Sequence, residues 1–235
     1  MTLQTCEEKN KNSSIESKKN GEKCVVVLSG GPDSATVAYW AKKQGYNAYA
    51  LSFKYGQIAT KETHCARKIA RRLQMPLKVI DLSKLSDVFG KVTSLCNGNI
   101  PMTSDFSEPI IVPFRNAIFL SVAVSYAVSL NANKILYGAQ ASDEPFYPDC
   151  RREFYKAFGK AAGLGTGREV TIDAPFSGLR KSELIKKAAK LGVPLNLTWS
   201  CYGSGSTHCG KCESCVNRRK AFVEAGILDP TKYAQ

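Results

Sequence analysis

Nothing in this 235-residue sequence is apolar for long enough to cross a bilayer. The longest nearly apolar stretch, Ile118 to Leu130, has 13 residues and carries Ser121, Ser125, Tyr126 and Ser129, whereas a spanning helix needs about 20. The N-terminus is rich in Lys, Glu, Asn and Ser and has no apolar segment of the kind that directs secretion. No internal repeat is visible, which excludes a solenoid or propeller. Acid is also scarce, with 20 Asp and Glu against 33 Lys and Arg. These absences leave a basic, cytoplasmic, globular protein as the expectation, one long enough to bury roughly 70% of its unfolded surface.

The net charge of +13 does not come from the tail, because residues 1–23 hold five Lys against four Glu. It is concentrated in Lys54–Lys91, with nine basic and three acidic residues, and in Arg180–Lys190, with five and one. A basic folded surface favours anionic partners, and a merely solvated basic face is equally compatible with the count.

Residues 1–23 lack hydrophobic periodicity, and a disordered leader is expected there. From Cys24 onward, short β-branched runs alternate with helical patterns. Strands are expected at Cys24–Leu28, Asn47–Phe53, Leu77–Asp81, Lys134–Gly138 and Glu169–Ala174. Helices are expected at Ser34–Gln44, Lys61–Leu73, Asn116–Leu130, Arg151–Ala162, Lys181–Leu191 and Ser214–Ala225, with a long loop over Leu95–Pro113. That alternation predicts an α/β fold, a Rossmann-like parallel sheet with helices on both faces. The expected layout is an α/β domain over 24–195 and a small cysteine-bearing helical region over 196–235.

Between the first strand and the first helix stands Ser29-Gly30-Gly31-Pro32-Asp33-Ser34. Two glycines let consecutive N–H groups face an anion, and the following helix aims its positive end at the same point. Ser29 and Ser34 carry hydroxyl donors, while Asp33 would repel phosphate unless it fixes the loop or faces Mg²⁺. Neither G-x-x-x-x-G-K-[ST] nor G-x-G-x-x-G is present, so this is neither a Walker loop nor a dinucleotide fingerprint. The motif resembles the S-G-G-x-D-S signature of PP-loop ATP pyrophosphatases, in which the loop grips the pyrophosphate of ATP while AMP is transferred to a substrate oxygen.

Five of the nine cysteines are scattered, but Cys201, Cys209, Cys212 and Cys215 follow one another as C-x7-C-x2-C-x2-C. In a chain with no secretion signal this argues for bound metal rather than a disulfide framework. Four thiolates with no vacant position describe a structural Zn²⁺ site. An iron–sulfur cluster also fits C-x2-C-x2-C, and His208 is a further candidate ligand.

The two motifs together resemble the QueC family of the PP-loop superfamily over about residues 24 to 230. The resemblance also rests on Tyr55-Gly56-Gln57, Val112-Pro113-x-Arg115-Asn116, Tyr147-Pro148-Asp149-Cys150-Arg151, Lys181-Ser182-Glu183, Thr198-Trp199-Ser200-Cys201-Tyr202 and Asp229-Pro230. The chain departs from the family's usual pattern at Pro32, which removes one loop N–H, at Ile58-Ala59-Thr60, and in the lead from Gln140 to Phe146.

The resemblance implies a PP-loop fold of the adenine nucleotide alpha hydrolase type with a C-terminal zinc region. It implies that ATP, Mg²⁺, ammonia and 7-carboxy-7-deazaguanine are converted to 7-cyano-7-deazaguanine, a queuosine and archaeosine precursor. Asp33, Ser34 and Lys181 are then the expected catalytic residues. ATP binding falls to Leu28, Ser29, Gly30, Gly31, Pro32, Asp33, Ser34, Ala35 and Thr36, with Arg115 and Asn116. Tyr147, Asp149 and Arg151 would hold the deazapurine. Cys150 receives no catalytic role, since nothing in the sequence lowers its pKa. A homodimer is compatible with this reading, and no stable nucleic-acid complex or membrane contact is expected. Two rivals stay open at this point. One is a different PP-loop enzyme, such as a transfer RNA thiolase, an amidotransferase synthetase or a QueC-like protein with another target. The other is a zinc-bearing nucleic-acid binder without ATP turnover, whose RNA binding would fall steeply with salt.

Overall fold

The computed structural model describes residues 21–234. The expected leader therefore lies outside the described residues up to residue 20, and Lys23 already opens the first strand. Strands β1 (Lys23–Val27), β2 (Asn47–Lys54), β3 (Leu77–Asp81), β4 (Lys134–Leu136) and β5 (Thr171–Asp173) form one sheet in the order β3-β2-β1-β4-β5. Every pairing is parallel. Cys24, Val25 and Val26 of the central strand have no exposed surface, as a parallel strand covered on both faces requires.

The helices are α1 (Pro32–Lys43), α2 (Lys61–Arg72), the four-residue α3 (Ser86–Phe89), α4 (Arg115–Ser129), α5 (Arg152–Thr166), α6 (Lys181–Lys190) and α7 (Glu213–Ala225). Side-chain alternation along β1 sorts them into two layers. Cys24, Val26 and Leu28 share a core with Ala38 of α1, Ile69 of α2, Leu184 of α6 and Phe222 of α7. Val25 faces the other way, onto Leu120 and Ala123 of α4 and Tyr155 of α5. The C-terminal region thus shares the core of the sheet through α7.

Expected and observed elements agree in kind and differ at their ends. β4 and β5 are shorter than their apolar runs, ending at Leu136 and Asp173, with the Tyr137 N–H donating to the Asp173 carbonyl at 3.1 Å as the last link between them. The Leu95–Pro113 segment is packed, with Leu95 and Val112 buried against Tyr55 and Phe89. Contrary to the reading from sequence, Glu108–Ser129 is by length and composition apolar enough to cross a membrane, an 18-residue window within it having mean hydropathy 1.6. In the fold it is a short turn of 3₁₀ helix at Glu108–Ile110 followed by α4, which lies on the sheet.

The strand order runs in opposite directions on either side of β1. β2 and β3 lie to one side and β4 and β5 to the other, so the connections diverge at the carboxyl ends of β1 and β4. A crevice opens there, where open parallel sheets bind their ligands.

Candidate active site and cysteine cluster

A cavity of about 580 Å³ occupies this crevice. Its floor is the turn after β1. The Ser29 and Ser34 hydroxyls lie 3.0 Å apart, Ser34 Oγ accepts the Ser29 N–H at 3.2 Å, and Ser29 Oγ accepts the Gly31 N–H at 3.3 Å. The hydroxyls tie the loop to itself and fix its shape. Pro32 begins α1, where its missing N–H is one a helix leaves unpaired in any case. Two close approaches demand glycine. Gly30, at φ +99°, would place a Cβ against the Glu62 carbonyl oxygen of α2, and a Cβ on Gly138 would stand 2.9 Å from the Ser34 nitrogen.

Of the residues expected from sequence, Leu28, Ser29, Gly31, Asp33, Ser34, Arg115, Asn116, Tyr147 and Lys181 line the cavity. Gly30, Pro32, Ala35 and Thr36 support the loop from behind; Thr36 is buried, with its hydroxyl donating to the Pro32 carbonyl at 2.7 Å. Lys181, the first residue of α6, reaches Asp33 Oδ2 at 2.5 Å. Burial opposes its charge, but Asp33 and then Asp143 outweigh burial and hold its pKa above the ordinary lysine value. Asp33 Oδ1 is buried and has no hydrogen-bond partner among the described residues. Asp143 is fixed by Gln140 Nε2 at 2.8 Å. Burial, with Asp33 adding and Lys181 opposing, pushes its pKa up to about 6.

Asp149 and Arg151 are placed differently from the sequence expectation. Asp149 Oδ2 accepts the Asn116 backbone N–H at 3.0 Å and Oδ1 accepts Asn116 Nδ2 at 3.1 Å. The carboxylate is committed to the first turn of α4, whose unpaired N–H groups attract an acid. Arg151 donates through Nε to the Glu144 carbonyl at 3.0 Å. Both residues brace the loops that carry Tyr147 rather than line the cavity. Phe114 takes a left-handed φ of +56°, after which Arg115 and Asn116 open α4 over the cavity. Arg115 donates through Nη1 to Tyr55 Oη at 3.1 Å, with its guanidinium 5.5 Å from the ring centre.

Sequence reading missed Glu62. Gln57 accepts the Tyr55 N–H at 2.7 Å and donates to the Phe53 carbonyl at 3.2 Å and to Glu62 Oε2 at 3.4 Å. Glu62 lines the cavity, and burial lifts its pKa to about 7 against the pull of Arg115 and Gln57. The available signal was a lone acid in the first turn of α2, followed on the same helix by four basic residues. The far wall is α7, where Tyr202 Oη donates to Glu213 Oε2 at 2.8 Å.

The ligand atoms of Cys201, Cys209, Cys212 and Cys215 all lie within 4.8 Å of one another. Tetrahedral Zn²⁺–thiolate bonds of about 2.3 Å set sulfurs about 3.8 Å apart, so the set fits one ion. Backbone N–H groups of Gly203 and Cys209 point at Cys201 Sγ, and those of Lys211 and Cys212 at Cys209 Sγ. His208 stands aside: its Nε2 accepts the Ser200 N–H at 3.0 Å and its ring packs 4.1 Å from Trp199.

Comparison with known proteins places this geometry. Among solved structures, NMN synthetase from Francisella tularensis aligns with 89% of this chain and 79% of its own, at TM-score 0.53 and 17% identity. A 4-thiouridine synthetase crystallised with RNA and ATP aligns with 86% of this chain and 53% of its own, at TM-score 0.50 and 18% identity. These likenesses concern the fold alone. Sequence relatives are far nearer. A 7-cyano-7-deazaguanine synthase from Caldicellulosiruptor saccharolyticus is 42% identical over 214 residues, 90% of this chain and 95% of that protein. The synthase of the same name from Methanoculleus marisnigri is 42% identical over 223 residues, covering 90% and 99%. The family model described as queuosine biosynthesis protein QueC matches residues 23–226, and the chain belongs to the QueC family.

Proposed function

We propose that this protein is a 7-cyano-7-deazaguanine synthase, an ATP-dependent ligase that turns the carboxylate of 7-carboxy-7-deazaguanine into a nitrile with ammonia as nitrogen source. The observation that carries the reading is the Lys181–Asp33 pair on the loop after β1, with Asp33 Oδ1 buried and unpartnered beside it. A carboxylate is a poor electrophile, and attack of its oxygen on the α-phosphorus of ATP releases pyrophosphate and leaves an acyl adenylate. Ammonia then displaces AMP to give the amide. A second activation, at the amide oxygen, allows loss of AMP and protons to yield the nitrile.

Each activation builds negative charge on phosphate oxygens. The N–H groups of the loop, the start of α1 and the ammonium of Lys181 face that charge in fixed positions, which is where catalytic stabilisation is largest. Arg115 adds a guanidinium suited to a phosphate or carboxylate. Asp33 Oδ1 and its surroundings fit a Mg²⁺ ligand, and the bound ion would neutralise phosphate charge. The four cysteines fit structural Zn²⁺, holding the start of α7 and with it the Glu213 wall of the cavity. We place the enzyme in the cytoplasm, acting on small molecules.

The test is mass spectrometry of a reaction containing protein, ATP, Mg²⁺, ammonium and 7-carboxy-7-deazaguanine. Nitrile and AMP are expected together. Amide without nitrile would confine the activity to the first half, and no consumption by protein that binds ATP would discard the substrate.

A further inference from the structure

Five acidic side chains border the cavity; three of them already hold partners and a fourth is exposed. Asp33 pairs with Lys181, Asp143 is fixed by Gln140, Glu213 accepts from Tyr202 and Asn217, and Glu224 is exposed on α7. Glu62 is different. Among the described residues its carboxylate receives one hydrogen bond, from Gln57 at 3.4 Å, long for an N–H to a carboxylate. Acceptor capacity therefore remains on an enclosed acid facing the cavity.

The surroundings of Glu62 define what it can accept from. Arg115, which also lines the cavity, uses Nη1 on Tyr55 and retains further donors. Phe53 and Phe119, stacked on each other with ring centres 4.2 Å apart, stand beside Tyr55 and line the same cavity with aromatic surface. A planar heterocycle lying against that surface meets a carboxylate and a guanidinium at its rim. A 2-amino-6-oxo ring offers the complement: adjacent N1–H and 2-amino donors for the acid, and O6 as acceptor for the guanidinium. The adenine of ATP has no such donor pair, since its N1 is an acceptor. Asp149, the acid that sequence offered for this contact, is occupied by Asn116.

We infer that Glu62 reads the N1–H and 2-amino edge of the deazaguanine ring and is the residue that makes the site specific for a 2-amino-6-oxo heterocycle. The inference rests on the function proposed above. Its raised pKa agrees with this role, because a half-buried acid without a strong partner is one that a ligand's N–H groups would hold in the charged form.

The test compares 7-carboxy-7-deazaguanine with the analogue lacking the 2-amino group, in wild type and in Glu62→Gln. Wild type should prefer the 2-amino ring by 100-fold or more in kcat/KM, as sites built around a substrate N–H do. In Glu62→Gln, KM for the deazaguanine should rise at least tenfold and the preference should collapse to a few-fold. Its kcat should change less than threefold, with KM for ATP unchanged. Glu62→Asp, which keeps the charge but shortens the reach, should retain part of the preference, and ATP binding by both variants verifies the fold. A Gln variant that keeps the wild-type preference overturns the inference. So does one that loses kcat while preserving KM and discrimination, since that pattern belongs to proton transfer. The wild-type reaction is the separate control: if neither ring is converted, the proposed function fails and this role fails with it.

Discussion

The ammonium of Lys181 and the carboxylate of Asp33 meet at 2.5 Å at the cavity, from positions 148 residues apart in the chain. Neither belongs to the other's motif: Asp33 lies in the first turn of α1 and Lys181 begins α6. The pair joins the helix that follows β1 to the helix that follows β5, at the cavity. Replacing Asp33 with Ala should abolish AMP production while the chain still folds, as circular dichroism would show. Replacing Lys181 with Met leaves Asp33 and Asp143 without their shared cation, and kcat should fall about 100-fold or more. Single-turnover AMP formation measures both, and undiminished turnover in either variant removes that residue from the machinery.

A methyl group at residue 138 tests the loop without touching its chemistry. The added Cβ of Gly138→Ala would stand 2.9 Å from the Ser34 nitrogen and 3.1 Å from the Asp33 carbonyl carbon. Both are backbone atoms and cannot rotate away. ATP binding should weaken at least tenfold, with deazaguanine binding altered less, as calorimetry with each ligand would show.

Local motifs were legible because their meaning is contained in a few consecutive residues. A buried strand, two glycines and a helix start specify the loop after β1, and four cysteines within 15 residues gather on one centre. Tertiary exchanges were not legible. Asp149 reads as a ligand contact, but whether an acid faces a ligand or a helix start depends on where Asn116 lies, 33 residues earlier. Glu62 reads as the first-turn acid of a basic helix, and only the fold reveals that α2 presses against Gly30 and turns that acid into the cavity. Strand ends misled for a related reason. The apolar pattern continues through Tyr137, while sheet pairing stops at Leu136.

The cysteine cluster and the cavity share α7, which begins right after Cys212. Cys212→Ser should therefore release the metal and also loosen the Tyr202–Glu213 contact. The expected readings are less than 0.2 metal ions per chain by elemental analysis, a melting temperature lower by roughly 5 °C or more, and weaker deazaguanine binding. Zinc is the metal expected in the wild type; iron with labile sulfide would replace that assignment. A variant with full metal and unchanged melting would show that Cys212 is not a ligand.

Arg218 is 1% exposed and is among the largest fully buried side chains of the described residues. It donates to both oxygens of Asp229, to Thr198 Oγ1 and to the Leu195 carbonyl. Burial would raise the Asp229 pKa, but hydrogen bonds from Arg218 and Tyr233 outweigh it and hold the carboxyl below its ordinary value. A lowered folded pKa contributes stability above the unfolded value, near pH 3.8, and that contribution is lost as pH falls through the folded pKa. Removing one partner of a buried pair costs about 3–5 kcal/mol. Asp229→Asn should therefore lower the melting temperature by roughly 6–20 °C at pH 7, with the difference shrinking below pH 4. Equal melting at pH 7 would mean that the pair holds nothing.

Glu62 predicts the opposite sign. Its folded pKa of about 7 lies above the unfolded value, so the folded protein binds more protons than the unfolded chain between about pH 4.5 and 7. Stability from this group is complete below that window and declines as pH rises through it. Without ligand at pH 8 the half-buried charge should therefore be destabilising. Glu62→Gln carries no such charge and should melt above wild type at pH 8, with the gap closing toward pH 5. Asp143 titrates near pH 6 in both proteins and cancels in the comparison. A variant that is more stable when empty and poorer at discrimination when turning over is the signature of a residue kept for its ligand. If the gap at pH 8 is absent, or persists unchanged at pH 5, the carboxylate is solvated in the folded protein and its enclosure at the cavity wall is refuted.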